Sequence, residues 1–208
     1  MDGRIGVDES GKGDFFGPLV VAACYVGPEH YAELEGVKDS KKLTDAMALR
    51  LSDKIAATCP HSVISIGPTK YNELYAKFKN LNHLLAWGHA RAIENVLEIH
   101  PADLVISDQF AAGGTVVKKA LFEKGKLVKF ESRVRAEADL AVAAASILAR
   151  AEFLRRLKAL GGRFNMELPK GATNVIGPGK RLVAQHGPEA LPEVAKMHFK
   201  TAGQVLNG

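Results

Sequence analysis

One segment near the start of the chain places paired carboxylates and a glycine-rich turn between two apolar runs. Residues 5–7 lead directly into Asp8 and Glu9. Residues 11–14 read Gly-Lys-Gly-Asp, and a second apolar run occupies residues 19–26. Short apolar runs bounded by glycine and acidic residues are typical of β-strands joined by a turn. The segment therefore predicts two strands of a sheet, with a pair of carboxylates at the end of the first strand.

The order of residues in this segment also indicates a type of chemistry. Successive side chains of a strand point to opposite faces, so Asp8 and Glu9 are expected on opposite sides of the first strand. Carboxylate oxygens are ligands that Mg²⁺ and Mn²⁺ prefer. The neighbouring glycines let backbone N–H groups approach an anion closely. A metal ion beside an anion-binding loop is the combination that phosphodiester hydrolysis requires.

Residues 6–13 also give a near match to a nucleotide-binding loop, G-x-x-x-x-G-K-G. The Walker A pattern requires serine or threonine at its last position, where the hydroxyl holds Mg²⁺. Gly13 occupies that position here, and Asp8 and Glu9 would repel a triphosphate inside the loop. The near match therefore does not predict a nucleotide-binding protein.

The composition is that of a globular protein, since the 208 residues are 47% hydrophobic and 25% charged. This length suits a single domain and allows a large core without disulfides. Cys24 and Cys59 form neither a zinc-binding pattern nor a disulfide framework, so a reducing cytoplasm is expected. The sequence shows no signal peptide and no apolar run long enough to span a bilayer, so no membrane association is expected. The net charge of +5 favours a polyanionic partner.

Periodic patterns predict further strands and helices along the chain. Thr44 or Asp45 is expected to cap a helix that continues to about residue 57. Strands are also predicted at 61–66, 104–106 and 127–130, helices at 71–79, 82–100 and 137–157, and loops at 161–162 and 177–179 of a tail with short helices. This order predicts an α/β protein with a mixed five-stranded sheet flanked by helices and a helical C-terminal extension.

Further carboxylates fall where a metal site at the strand ends would need them. Asp108 ends the predicted strand at 104–106, and it would meet Asp8 if the two strands were neighbours. A fourth carboxylate is expected near the start of the alanine-rich helix, where Glu137 and Asp139 compete, and either could merely favour the helix dipole. The carboxylates together predict a site that holds two metal ions. His89, on the helix predicted at 82–100, is interpreted as a packing histidine.

Several motifs together resemble a known family. They are residues 8–18, 38–43, 71–75, 80–82, 86–90, 108–110, 143–150, 168–172 and 195–200, which are distributed along nearly the whole chain. These segments resemble the type 2 ribonucleases H, and the ribonuclease HIII branch in particular. The HII branch usually has Gly-Arg-Gly after the two acids, whereas Lys12, the Asp-Phe-Phe at 14–16 and the His-Phe-Lys at 198–200 are similar to HIII.

The resemblance implies a fold, a reaction and a set of ligands. It implies an RNase H-like fold in one catalytic domain over residues 1–208, with a core to about 158 and C-terminal loops and short helices over about 159–208. It implies endonucleolytic cleavage of the RNA strand of RNA–DNA hybrids, which leaves 5′-phosphate and 3′-hydroxyl ends. The carboxylates implied as catalytic residues and as ligands of two Mg²⁺ or Mn²⁺ ions are Asp8, Glu9, Asp108 and Glu137, with Asp139 as the fallback.

The resemblance also implies how substrate is held. The backbone amides of residues 11–13 are expected to hold a phosphate or a ribose 2′-hydroxyl, which distinguishes RNA from DNA. The expected substrate-binding residues are Ser10, Gly11, Lys12, Gly13, Ser40, Lys41 and Lys42. Their lysines would neutralise phosphates, so binding of the hybrid should weaken as salt rises.

A monomer is expected, because no apolar heptad pattern is present.

Two other activities remain open at this stage. One is incision beside a single ribonucleotide within duplex DNA, as in the HII branch. The other is binding of hybrids without catalysis, although such a protein would gain nothing from negative charge where phosphates dock. Ribonucleases HIII usually carry an N-terminal substrate-binding domain of TATA-binding-protein-like fold. Here the catalytic strand begins close to Met1, so either the protein lacks that domain or its sequence has been trimmed, and a weaker affinity for hybrids is expected.

Overall fold

Five strands and eight α-helices are present in the computed structural model, which describes residues 3–37, 43–109 and 114–207. The strands are β1 (Arg4–Ser10), β2 (Leu19–Val26), β3 (His61–Ile66), β4 (Leu104–Asp108) and β5 (Lys129–Arg133). The helices are α1 (Asp45–Thr58), α2 (Pro68–Phe78), α3 (Leu81–Ile99), α4 (Thr115–Ala120), α5 (Leu140–Arg163), α6 (Ile176–His186), α7 (Leu191–Val194) and α8 (Lys200–Leu206). Short 3-10 helices occupy Pro28–His30, Ala136–Ala138 and Pro188–Ala190.

The strands form one sheet in the order β3-β2-β1-β4-β5. Strand β4 runs parallel to both of its neighbours, β1 and β5. The register places Gly6 beside Ile106 and Val7 beside Ser107. This arrangement confirms the predicted α/β architecture with a five-stranded sheet. Because β1 and β4 are parallel neighbours, their carboxyl ends lie at the same end of the sheet.

Alternation along β1 separates the packing on its two sides. Ile5 and Val7 belong to an apolar cluster that includes Ala90 and Ile93 of α3. On β4, the parallel neighbour of β1, Ile106 packs in a separate cluster with Val142 of α5. Helices α3 and α5 thus pack against different sets of strand residues. Residues of opposite parity in β1 are therefore directed toward different helices.

Gly6 is the residue that lets α5 lie close to β1. A Cβ atom at this position would lie 2.1 Å from the carbonyl carbon of Ala141 and from the backbone nitrogen of Val142. A Cβ atom does not approach backbone atoms so closely, so any larger residue would require strand or helix to move. Glycine at this position therefore sets the distance between the first strand and the alanine-rich helix.

The bounds predicted for the fifth strand are wrong. The prediction was residues 127–130, whereas β5 is Lys129–Arg133. Leu127 is apolar but 87% exposed, and its backbone N–H donates to the carbonyl of Lys124 in a turn. An apolar side chain in a turn resembles the start of a buried strand when only the sequence is considered.

The predicted bounds of the alanine-rich helix are also wrong at both ends. The prediction was 137–157, whereas α5 begins at Leu140 and continues to Arg163. The side-chain Oδ1 of Asp139 accepts a hydrogen bond of 2.9 Å from the backbone N–H of Ala141, as an N-cap residue does. Glu137 instead lies in the 3-10 helix that precedes α5. Residues 161–162, predicted as a loop, belong to the last turns of α5.

Residues 177–179 are likewise helical rather than a loop. They form the first turn of α6, where Pro178 causes little loss because N–H groups of a first turn have no partner within the helix. A Cβ atom on Gly179 would lie 2.7 Å from Cγ2 of Val205 in α8. Contact between α6 and α8 thus explains this glycine better than a turn does.

The chain divides into two units. The first comprises Met1–Glu9, Val21–Ile64 and Asn80–Ala151, and the second comprises Ser10–Val20, Ser65–Lys79 and Glu152–Gly208. The predicted organisation as one domain, with a core to about residue 158 followed by C-terminal loops and short helices, stays a prediction. Among the described residues, no helix is both long enough and apolar enough to cross a membrane.

Candidate active site

The carboxyl ends of β1 and β4 bring two predicted carboxylates to the same end of the sheet. The parallel register runs from Ile5 beside Val105 to Val7 beside Ser107. Asp8 and Asp108 are the next residues along each strand, and the charge of Asp108 acts on the ionisation of Asp8. The sequence predicted that Asp8 and Asp108 would meet if their strands were neighbours, and β1 and β4 are neighbours.

Asp8 lies in an environment that disfavours its charge. Its pKa is raised to about 7, first because the carboxyl is buried and then because the charge of Glu9 is close, with a smaller contribution from Asp108. Hydrogen bonds act in the opposite direction. The Ser146 side chain donates one to Asp8, and the backbone N–H of Glu9 donates another of 2.8 Å to its Oδ1. Like charges thus converge on Asp8, as in sites that hold a divalent cation.

Glu9 points to the other side of β1, as strand alternation predicts. Its Oε2 lies 3.0 Å from Nε2 of His89, whose ring is fully buried on α3. The other ring nitrogen, Nδ1, lies 3.1 Å from Oγ of Ser107 on β4. His89 therefore packs in the core, as predicted, and it also contacts a predicted ligand. The sequence alone showed no sign of this second contact.

The structure separates the two competitors for the fourth carboxylate. Asp139 caps α5, and its Oδ2 accepts a hydrogen bond of 2.5 Å from Nε of Arg4, with both side chains at least 85% buried. Glu137 lies in the 3-10 helix Ala136–Ala138, and its Oε2 is buried. The backbone N–H of Ala136 donates to Oδ1 of Asp108 at 3.0 Å, so the start of this 3-10 helix is held against a predicted ligand. Asp139 already has a structural role, and this favours Glu137 as the fourth carboxylate of the candidate site.

The donor chemistry of this group fits Mg²⁺ or Mn²⁺. All four predicted ligands offer carboxylate oxygens, which suit hard divalent cations. Within the described ranges, no three His, Cys, Asp or Glu side chains are already close enough together to hold a metal ion. The charges of Glu9 and Asp108 also repel the ionised form of Asp8, in addition to the larger effect of its burial. A divalent cation would remove that repulsion, so the residues fit the predicted ligand set.

The loop that follows β1 in the chain belongs to the second unit. Gly11 has a φ of +87°, and a Cβ atom there would lie 2.2 Å from the carbonyl oxygen of Pro18, so the turn requires glycine. Oδ1 of Asp14 accepts a hydrogen bond of 2.6 Å from the backbone N–H of Gly171. Gly13 is exposed, and no atom lies within 4 Å of the position a Cβ would take. The loop is therefore anchored at its ends and open at Gly13.

Lys196 anchors the same loop from within the second unit. The residue is fully buried, and its Nζ donates to the carbonyls of Asp14 at 2.8 Å and Gly17 at 2.7 Å. Burial lowers the pKa of Lys196 to about 7, although the charge of Asp14 acts in the opposite direction. The sequence indicated Lys196 only as part of a family motif, because a buried lysine cannot be distinguished from a surface lysine by pattern.

The remaining predicted substrate-binding residues are placed as follows. Ser10 is the last residue of β1, and Ser10 and Lys12 are both partly exposed. Ser40, Lys41 and Lys42 lie outside the described residues. The structure therefore brings Asp8, Glu9 and Asp108 together at one end of the sheet. For the substrate-binding set, it describes only the loop of residues 10–13.

Several known proteins are similar to this chain over most of its length. A family model described as Ribonuclease HII matches residues 5–202. A protein named Ribonuclease HIII from Protochlamydia amoebophila (strain UWE25) is 47% identical over 98% of this chain and 68% of its own length. The crystal structure of Bst-RNase HIII in complex with Mn²⁺ has a TM-score of 0.90 at 32% identity, over 99% of this chain and 70% of that chain. The ribonuclease H2 of Pyrococcus horikoshii OT3 has a TM-score of 0.81 at 23% identity, over 99% of this chain and 97% of that chain, and supports the fold alone.

The α/β sheet with carboxylates at its strand ends is the architecture of an RNase H-like nuclease, and the match over residues 5–202 makes the class specific. The chain belongs to the ribonuclease HII family. Within that family its relatives at 47% and 32% identity are ribonucleases HIII. This result confirms the branch that the sequence motifs predicted.

Proposed function

We propose that this protein hydrolyses the RNA strand of RNA–DNA hybrids at a site built from Asp8, Glu9, Asp108 and Glu137, which hold two divalent cations. The observation that carries the proposal is the convergence of Asp8 and Asp108 at the ends of two parallel strands, where burial and then like charges raise the pKa of Asp8. Bst-RNase HIII has been solved in complex with Mn²⁺, which supports Mg²⁺ or Mn²⁺ as the cofactor of this chain. The predicted hybrid-cleaving activity agrees with membership of the family.

Each carboxylate has a distinct support in the fold. Asp8 would help to hold the ions, and Ser146 and the backbone N–H of Glu9 donate hydrogen bonds to its carboxylate. The backbone N–H of Ala136 orients Asp108. When bound, the ions supply an activated water for in-line attack and stabilise the leaving 3′-oxygen, so that 5′-phosphate and 3′-hydroxyl ends result. None of the chain's own side chains is then needed as a general base.

Positive charge near the carboxylates would favour a polyanionic substrate. Arg133 lies in register with Asp108 across β4 and β5, with its guanidinium paired to Glu131, and Arg135 is exposed next to Ala136. The substrate-binding role of Ser10, Gly11, Lys12 and Gly13 rests on their place in the chain, directly after Glu9. Ser40, Lys41 and Lys42 are proposed as phosphate contacts on their motif alone. Binding through such contacts should weaken as salt rises.

Cleavage of two labelled duplexes tests the proposed specificity. One duplex carries a continuous RNA strand on DNA, and the other carries a single ribonucleotide within DNA. With Mg²⁺ or Mn²⁺ we expect the continuous hybrid to be cut at least about 100-fold faster, a difference of about 2.7 kcal/mol in activation free energy. The products should carry 5′-phosphate ends, which a phosphatase and a kinase can identify.

Other outcomes of this experiment would favour the alternative activities. Efficient cutting beside the single ribonucleotide would contradict the HIII-type specificity and support the HII-type activity. If both duplexes were bound but neither was cut with either metal, the chain would be a hybrid-binding protein. The protein with Asp8→Asn serves as the background control, because it removes a proposed ligand and leaves the fold.

A second prediction concerns the fourth carboxylate. Glu137→Gln is expected to lower kcat for the continuous hybrid by about 100-fold or more, because a metal ligand is lost. Asp139→Asn is the matched control. Asparagine still caps α5, so its kcat should stay within about 5-fold, while loss of the largely buried ion pair with Arg4 lowers the free energy of unfolding by about 3 kcal/mol. A large loss of kcat in Asp139→Asn with none in Glu137→Gln would transfer the role to Asp139.

The proposed compartment and assembly are a reducing cytoplasm and a monomer. The two cysteines, Cys24 and Cys59, are buried free thiols, as expected of a protein that folds without disulfides. Light scattering after size-exclusion chromatography would measure the assembly. Elution as a dimer at micromolar concentration would contradict the monomer.

A further inference from the structure

The buried side chain of His89 links the two strands that carry the candidate metal ligands. Its Nε2 lies 3.0 Å from Oε2 of Glu9 on β1, and its Nδ1 lies 3.1 Å from Oγ of Ser107 on β4. Ser107 is only 1% exposed, and its hydroxyl lies 3.1 Å from the backbone carbonyl of Asp108. The contacts form a continuous chain from the Glu9 carboxylate to the backbone of Asp108.

The chemistry of the partners determines the direction of the hydrogen bond to Glu9. An ionised carboxylate accepts hydrogen bonds and cannot donate them, so Nε2 of His89 carries the proton in this contact. Nδ1 lies within hydrogen-bond distance of the Ser107 hydroxyl, whose single proton can go either to Nδ1 or to the backbone carbonyl of Asp108. Both ring nitrogens are therefore engaged, and the ring cannot flip without losing its bond to the carboxylate.

The surroundings of His89 hold the ring in place. The neighbouring Gly88 is also buried, and a Cβ atom on it would lie 3.0 Å from Cγ2 of Val21 on β2. Ala86 and Ala90 of α3 pack in the same apolar cluster as Val7. Small residues thus let α3 lie close to the sheet at this point, so the imidazole reaches Glu9 from a rigid element.

We propose that His89 is a positioning residue: it holds the Glu9 carboxylate in the orientation in which that carboxylate binds a divalent cation. This inference rests on the proposed function of Glu9 as a metal ligand. Glutamate has several rotatable side-chain bonds, so holding one oxygen from a rigid helix reduces the freedom lost when the metal binds. In metal sites, partners that orient a ligand typically change metal affinity by about 10- to 100-fold when they are removed.

Two amide substitutions distinguish positioning from packing. In His89→Gln the amide nitrogen can occupy the place of Nε2 and donate to Glu9. In His89→Asn the amide reaches only the place of Nδ1, so the contact with Ser107 can be kept while the contact with Glu9 is lost. Both variants remove a buried ring and should lose similar thermal stability. Their difference therefore reports the hydrogen bond to the carboxylate.

The readout is the affinity of the full chain for Mn²⁺ without substrate, measured by electron paramagnetic resonance of free Mn²⁺. We expect His89→Asn to weaken Mn²⁺ binding by about 10-fold or more, and His89→Gln to stay within about 3-fold of the unchanged protein. In cleavage assays, the loss in His89→Asn should be largely restored by raising Mn²⁺, with the KM for the hybrid unchanged. Equal Mn²⁺ affinities for the two variants would overturn the proposal and leave His89 as a packing residue.

A double substitution separates this proposal from the proposed function. In a Glu9→Gln background, His89→Asn should cause no further loss of Mn²⁺ affinity, because its effect acts through the Glu9 carboxylate. A full additional loss in that background would overturn the positioning role. If Glu9→Gln itself left Mn²⁺ affinity unchanged, the role of Glu9 as a ligand would fail, whatever the His89 variants showed.

Discussion

Replacing Asp8 by asparagine is expected to remove cleavage of RNA–DNA hybrids while raising the stability of the metal-free protein. Asp8 is the carboxylate on which the charges of Glu9 and Asp108 both act, so a cation bound there would offset more than one negative charge. Loss of such a ligand should lower kcat by about 10³-fold or more, or about 4 kcal/mol in activation free energy. Binding of the hybrid should remain, and a gel-shift assay in Ca²⁺ or without metal would measure it.

The gain in stability should depend on pH, and its sign follows from the raised pKa of Asp8. Between its ordinary value of 3.8 and about 7, the folded protein holds a proton on Asp8 that the unfolded chain releases. The stability contributed by protonated Asp8 is therefore full below the ordinary value and is lost as the pH rises through about 7. The asparagine side chain carries no charge at any pH, so the increase in Tm of Asp8→Asn over the unchanged protein should be larger at about pH 8.5 than at about pH 5.

Two measurements complete this prediction. Mg²⁺ should raise the Tm of the unchanged protein at about pH 8.5 and should have a smaller effect on Asp8→Asn, because binding to the folded state stabilises it. Asp103→Asn is the matched control, since Asp103 is exposed and precedes the opposite end of β4. It should leave kcat within about 2-fold and Tm within about 2 °C. Undiminished cleavage by Asp8→Asn would contradict the proposed site.

Replacing Gly6 by alanine is expected to destabilise the fold strongly, although it adds only one methyl group. The added Cβ would lie 2.1 Å from backbone atoms of both Ala141 and Val142, where no side-chain rotation can relieve the overlap. Overpacking against backbone should lower the free energy of unfolding by about 3 kcal/mol or more. For a domain of this size that corresponds to a fall in Tm of about 6–12 °C.

Gly162→Ala is the matched control for this effect. Gly162 lies in the last turn of α5, and no atom lies within 4 Å of the position its Cβ would take. Alanine is favoured over glycine in a helix, so Gly162→Ala should leave stability unchanged or raise it by up to about 1 kcal/mol. Chemical denaturation of both variants would measure the difference. A loss below about 1 kcal/mol in Gly6→Ala would show that strand and helix can separate at little cost.

The parts of the fold that were predictable are those with strong periodicity or clear end signals. Strand β3 was predicted at its observed bounds, and Thr44 caps α1 through a hydrogen bond from the N–H of Met47, as its sequence pattern indicated. The start of α5 was missed because Glu137 is as good a helix residue as those that follow it. Only the contact between Asp139 and Ala141 shows where the helix begins.

In the candidate site too, some residues were predictable from local sequence and others were not. Asp8, Glu9 and Asp108 were predicted as ligands from the sequence, because carboxylates that directly follow apolar strand residues form an unusual local pattern. Ser146 and His89 contact those carboxylates from distant parts of the chain, and no local pattern distinguishes them from other residues of a helix. Their contacts depend on how α5 and α3 pack against the sheet.

By itself, the sequence determined the class of protein, the carboxylate chemistry of the candidate ligands and the position of Asp8 and Glu9 at the end of the first strand. These features depend on residue order over a few positions. The tertiary structure decided that β1 and β4 are parallel neighbours, which brings Asp8 and Asp108 together although about half the chain separates them. It also decided that Asp139 is used as a cap and in an ion pair with Arg4, which leaves Glu137 as the candidate ligand. Such long-range pairings result from the packing of whole elements, and packing is not encoded in any short stretch of residues.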